Sequence, residues 1–128
     1  MDAPIKGLVR KGDYVGGTFF KPEAVDGYIN GINPGDRSDI MGRFPFSRSS
    51  VGEAFQYGRI GAKAWRRVPL SDRLTAIRIF RDNLIRTQEE LAILITRETG
   101  KPIWESRQEL VGTARALTHL VEHGLHIL

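Results

Sequence analysis

The alternation of apolar and polar positions changes period about a third of the way along the chain. In residues 13–20, DYVGGTFF, β-branched and aromatic residues flank a Gly-Gly step, which predicts two short strands joined by a tight turn. Tyr28-Ile29 and the run from Asp39 to Phe44 are further strand candidates, separated by INPGDRSD, whose Asn-Pro-Gly-Asp punctuation predicts a turn. From Ser50 onward the period is helical. Val51, Ala54, Phe55, Gly58, Ala62 and Trp65 form one stripe, and Ser50 with Glu53 has the spacing of a capping box. Val68-Pro69 ends that helix, since a residue preceding proline is pushed out of the α region. Ser71 is the predicted cap of a second helix, with Leu74, Ile77, Phe80 or Arg81, and Leu84 inward. Thr87 and Glu90 repeat the capping-box spacing before a third helix carrying Leu91, Leu94 and Ile95. Gly100 stands where a helix-ending glycine is expected, and Pro102 where a fourth helix tolerates proline. That helix is expected to bury Trp104, Val111, Ala114, Leu117, Val121 and Leu125.

The fold class expected is therefore α+β and mainly helical: an N-terminal β-hairpin and short strands, then about four helices. At 128 residues, with 41% hydrophobic and 27% charged, the chain has ordinary globular composition and room for one domain. Residues 1–47 are read as a β and loop arm and 48–128 as a helical part. No apolar run reaches the roughly 20 residues of a membrane helix, and the N-terminus lacks a signal-peptide core, so a cytoplasmic location is expected. With no cysteine there is no disulfide, thiolate metal site or cysteine nucleophile.

The chemistry-bearing residues have bland readings. Gly100-Lys101 is not a P-loop, because Ile95 stands where the motif needs glycine and Pro102 where it needs Ser or Thr. It reads as a helix-to-helix corner, with Lys101 near the carbonyls that end the third helix. Gly16-Gly17 lacks the G-x-G-x-x-G spacing and reads as a turn. His119, His123 and His126 share one side of the last helix, but no glutamate follows the first histidine as a zincin motif requires. Glu98, Glu105 and Glu109 are read as a solvated face, not an acid–base pair. Trp65 and Trp104 are expected as core anchors. The net charge of +4 is spread over Arg59, Lys63, Arg66, Arg67, Arg73, Arg78, Arg81 and Arg86 with Glu53, Asp72 and Asp82 among them, a solvated pattern, not a nucleic-acid surface. No catalytic, cofactor-binding or metal-ligating residue is expected in this chain.

Taken together, several motifs resemble the N-terminal region of the aldehyde dehydrogenase superfamily. They are Asn33-Pro34 in NPGD, Gly42 to Pro45 in MGRFPFS, Ala62 to Trp65, Pro69-Leu70 with Arg73, and Glu98 to Pro102 followed by Glu105 and Glu109. The likeness is co-linear from about residue 25 onward. It implies the start of an α/β fold, with residues 48–128 flanking a coenzyme-binding domain and 1–128 forming a single incomplete domain. Family members use a cysteine thiolate, a glutamate-assisted water and NAD or NADP, and none of those motifs is matched here. The resemblance thus implies a structural segment of an NAD(P)-dependent dehydrogenase, inactive and binding no cofactor on its own. Its expected partner is the remainder of the enzyme or a like subunit, with self-association and without nucleic acid or membrane. The alternative expectation is a non-catalytic truncated relative acting as a binding or assembly module.

Overall fold

The computed structural model describes residues 13–20 and 24–124. The expected Leu125 of the last helix and His126 lie outside them. Strands β1 (Asp13–Val15) and β2 (Thr18–Phe20) form an antiparallel hairpin with Tyr14 opposite Phe19. Gly16 and Gly17 both take positive φ, 63° and 88°, which lets two residues turn the chain with the twist of the strands. The next ribbon pairs β3 (Gly27–Ile32) with β4 (Ile40–Phe46). Amide hydrogen bonds from Asp26 to the Phe46 carbonyl and from Asn33 to the Asp39 carbonyl close its two ends. Helices α1 (Ser49–Trp65), α2 (Leu70–Arg86), α3 (Gln88–Thr99) and α4 (Ile103–His123) follow. The mainly helical α+β class expected from the sequence is what the chain adopts.

Contacts group the chain into two units, one from the residues up to Gly31 with Ile40–Arg67, the other from Ile32–Asp39 with the residues from Val68 on. In the first unit the hairpin turn lies on α1, where a Cβ at Gly16 would meet the Tyr57 ring at 2.8 Å. Phe46 and Phe44 lie similarly against Gly27 and Gly31, and the Arg43 guanidinium sits 3.8 Å over the Tyr28 ring.

The expected Ser50–Glu53 capping box is not formed. α1 starts at Ser49, and Ser50 donates its hydroxyl to the Ser47 carbonyl instead. The carboxylate that accepts a main-chain N–H at this end is Asp26, bonded to the Arg48 amide at 2.6 Å across 22 residues of sequence. Strand pairing brings Asp26 there, which local spacing could not reveal.

In the second unit α4 is the central element, packed on α2 and α3. Its buried stripe is Ser106, Leu110 and Val121, with Ile103, Ala114 and Leu117 half-buried, and Ala92 of α3 is fully buried opposite. Ala114, Leu117 and Val121 face inward as expected, but in the first half of the helix Trp104 is 58% exposed and Val111 is at the surface. Trp65 is 48% exposed, so neither tryptophan is a core anchor within these residues. On α2 the inward set is Leu74, Ile77, Arg81 and Leu84, with Arg81 and not Phe80 taking the ambiguous place. Its Nη1 reaches Thr118 Oγ1 of α4 at 3.5 Å.

Helix boundaries also differ by a residue or two. α2 begins at Leu70 behind Pro69, so Ser71 lies inside the first turn and does not cap it. Thr87 does sit between α2 and α3, but its hydroxyl donates back to the Asn83 carbonyl at 2.9 Å, closing α2 and leaving the predicted box with Glu90 unmade. Gly100 ends α3 in the left-handed region with φ 75°, as its position predicted.

Candidate functional site at the turn and helix corner

The most strongly knit polar cluster joins the turn Ile32–Asp39 to the corner between α3 and α4. Asn33 and Asp36 build the turn from their own side chains. Gly35 N–H donates to Asn33 Oδ1 at 2.9 Å, and the Ser38 amide and hydroxyl donate to Asp36 Oδ1 at 3.0 and 2.6 Å. These are side chains bonding the main chain two residues on, the chemistry that makes Asn and Asp turn formers. Asp39 then receives three hydrogen bonds: Asn33 Nδ2 at 3.1 Å, Arg97 Nε at 2.7 Å and Arg97 Nη2 at 2.5 Å. The two-pronged guanidinium contact and the Asn33 donor favour the ionised carboxylate, holding Asp39 below the usual carboxylate range. Asp36 is lowered too, by its bonds from Ser38.

The corner itself is fixed by close approach. A Cβ at Gly100 would lie 3.0 Å from the Gly35 nitrogen and 3.1 Å from Pro34 Cβ, so the NPG turn rests directly on the glycine that ends α3. Beneath it, Thr96 and the fully buried Ser106 share a hydroxyl–hydroxyl bond of 2.8 Å across the corner. Lys101 does not reach back to the carbonyls of α3 as expected. Its ammonium pairs with Glu109 two turns into α4. Arg107 makes a second link between these helices, donating from Nε to Glu89 at 2.9 Å, which lowers the Glu89 carboxyl and raises the Arg107 guanidinium.

Chemically this cluster is a clasp. Asp39 is committed to Arg97 and Glu109 to Lys101, and Asp36 is taken up by the amide and hydroxyl of Ser38. Glu109 is held by Lys101, while Glu98 and Glu105 are exposed. Gly16-Gly17 form the hairpin turn with a strand and not a helix after them, so they offer no phosphate cradle of the dinucleotide kind. The rings of His119 and His123 stand 4.8 Å apart on α4, and among the described residues no group of three His, Cys, Asp or Glu is gathered to hold a metal ion. The basic residues Arg59, Lys63, Arg66 and Arg67 are exposed, whereas Arg73 and Arg81 are half-buried.

A shallow open groove of about 430 Å³ lies on the second unit, lined by Ile85, Val111, Ala114, Arg115, Thr118 and Glu122. Sequence reasoning missed the Asp39–Arg97 pair. Its partners are 58 residues apart, and the one local hint was that both lie beside turn punctuation, NPGD and TGKP.

Among the described residues no helix is long and apolar enough to cross a membrane. Comparison with known sequences matches residues 20–127 to the profile described as "Aldehyde dehydrogenase family". The N-succinylglutamate 5-semialdehyde dehydrogenase of Chromobacterium violaceum is 35% identical over 78 residues, 61% of this chain and 16% of that protein. Its namesake from Burkholderia thailandensis is 35% identical over 82 residues, 64% of this chain and 17% of the relative. That from Photorhabdus laumondii is 31% identical over 100 residues, 78% and 20%. The chain spans a fifth or less of the length of these relatives.

Proposed function

The chain belongs to the aldehyde dehydrogenase family, and we propose that it is the N-terminal structural segment of an NAD(P)-dependent enzyme that oxidises an aldehyde to a carboxylic acid, the reacting groups lying outside these residues. The observation that carries this reading is α1. Val51, Phe55 and Trp65, on one stripe, are all at least 48% exposed, and none of its 17 residues is buried. An apolar face of that extent is built to be covered, and relatives five or more times longer than the matched span contain polypeptide to cover it.

In such an enzyme NAD(P) accepts the hydride. The Gly16-Gly17 step is spent on a β-hairpin, and on this reading the residues that hold the cofactor lie outside this chain. This chain's part is positional: the Asp39–Arg97 clasp and the Gly35–Gly100 contact hold the turn on the end of α3, Thr96–Ser106 and Glu89–Arg107 tie α3 to α4, and the exposed apolar faces receive the remainder of the dehydrogenase or a like subunit. The setting proposed is cytoplasmic, with no nucleic-acid partner. N-succinylglutamate 5-semialdehyde, named in the three relatives, is the first aldehyde to try.

A second reading, a non-catalytic binding or assembly module, has one observation in its favour: α2, α3 and α4 bury Ala92, Ser106, Leu110 and Val121 among themselves. The two readings separate when the chain is co-produced with the part of the C. violaceum relative beyond the matched span. Formation of a complex, with aldehyde-dependent NAD(P)H absorbance in the complex and none from the 128-residue chain alone, is expected. A chain that sediments as a monomer at every concentration, with slowly exchanging α1 amides and no association, would refute the first reading.

A further inference from the structure

His119 and His123 stand one turn apart on α4, with ring centroids separated by 4.8 Å and ring planes inclined by 52°. Both side chains are exposed, and so is Glu122, whose Oε2 lies 3.9 Å from His123 Nε2. A hydrated ion therefore reaches all three from solvent without displacing a packed group. Along the chain, residues 119–123 read H-L-V-E-H. The glutamate absent after the first histidine precedes the second, and H-x-x-E-H is the reversed order in which two histidines of successive turns bind zinc.

The donors select the class of ion. Imidazole nitrogen suits Zn²⁺, Ni²⁺ and Cu²⁺, whereas Mg²⁺ and Ca²⁺ take oxygen ligands. Metal–nitrogen bonds of about 2.0–2.1 Å place two donors on one ion about 3 Å apart. Two exposed rings already 4.8 Å apart by their centroids reach that separation by side-chain rotation, with the helix unmoved. The Glu122 carboxylate stands close enough to offset the charge of the ion and to hold one of its waters. Arg115, one turn before His119 on the same groove, opposes it.

We propose that His119 and His123 form a two-histidine clamp for a divalent transition-metal ion, Zn²⁺, Ni²⁺ or Cu²⁺, on the last turn of α4. Water completes the shell of the ion, and Glu122 is a positioning residue. This departs from the expectation that the chain ligates no metal, and it stands independently of the functional reading above. It assigns no reaction, because a catalytic zinc site takes three protein ligands and two are offered here. An ion shared by residues four apart holds the end of the helix closed.

The test uses the 128-residue chain without an affinity tag, titrated calorimetrically with Zn²⁺, Ni²⁺ and Mg²⁺. The variants are His119→Gln, His123→Gln, Glu122→Gln and His126→Gln. Wild type should bind about one Zn²⁺ or Ni²⁺ per chain and no Mg²⁺. Loss of either clamp histidine should weaken binding about tenfold or more, loss of the Glu122 charge less, and His126→Gln should stay within about threefold of wild type. With Cu²⁺ on the wild-type chain, electron paramagnetic resonance should show two nitrogen ligands, a readout that needs no variant to fold. Absence of saturable binding would overturn the clamp, as would Mg²⁺ binding as well as Ni²⁺ does. So would undiminished binding by His119→Gln or His123→Gln, or an equal loss in His126→Gln, which places the ion at the chain end.

Discussion

Replacing Gly100 with alanine should destabilise the chain, and the same replacement at Gly112 should do the reverse. At Gly100 the backbone has φ 75°, a conformation that costs a residue with a Cβ about 1–2 kcal/mol. The added methyl would also meet the Gly35 nitrogen at 3.0 Å and Pro34 Cβ at 3.1 Å. Main chain and a proline ring yield little, so about a further 1 kcal/mol is expected from overpacking. Alanine's narrower unfolded ensemble returns about 0.4–1 kcal/mol. The net loss is about 2 kcal/mol, and for a chain of this size that lowers the thermal midpoint by roughly 5–10 °C. At Gly112, within α4, no atom lies within 4 Å of the new Cβ, and removing an interior helix glycine should gain about 0.5–1 kcal/mol. Thermal unfolding followed by far-UV circular dichroism, at matched protein concentrations, reads both. A G100A chain as stable as wild type, or two variants shifted in the same direction, would refute the placement of the NPG turn on the corner.

Acid should loosen the clasp in a predictable direction. Because Arg97 and then Asn33 hold the Asp39 carboxyl below its ordinary value of 3.8, its contribution is complete above that value and is lost as pH falls through the lower folded pKa. Urea midpoints measured from about pH 5 to 2 should therefore drop less steeply for Asp39→Asn than for wild type, the residual slope coming from Asp36 and Glu89, shifted in the same sense. Truncating Leu110 to alanine should cost about 2–3 kcal/mol by urea unfolding, the lower part of the usual range because the core is small. Phe55→Ala, at a side chain 72% exposed, should cost under about 0.5 kcal/mol in the isolated chain. Equal costs would mean that α1 is packed.

How far the sequence could be read depended on distance along it. The hairpin at Gly16-Gly17, the turn after Asn33 and the left-handed Gly100 were legible because each is decided by the residues' own backbone preferences. Helix existence was legible from period, and so was the inner face of α4 from Ala114 to Val121, yet its first half was misplaced: Trp104 and Val111 are the more hydrophobic residues, while the structure buries Ser106, whose hydroxyl is satisfied by Thr96. A pattern that ranks apolarity cannot see that partner. The same limit explains the caps. Ser50 and Thr87 had the right spacing, but each hydroxyl found a carbonyl three or four residues back, and Asp26 reached the start of α1 through strand pairing. The clasp itself, Asp39 with Arg97, is a tertiary fact with almost no local trace.

The interleaving of the two units also has a consequence for biosynthesis. Ile32–Asp39 belongs with α2, α3 and α4, but Arg97 comes 58 residues after Asp39. At roughly 5–20 residues per second, a ribosome delivers the guanidinium about 3–12 s after the carboxylate it is to grip. During that interval the turn can keep its shape through Asn33, which bonds both Gly35 and Asp39, and through Asp36, which bonds Ser38. A nascent chain would then carry a finished receptor for Arg97 before α3 exists, so the last step of the clasp is the arrival of a helix at a waiting carboxylate.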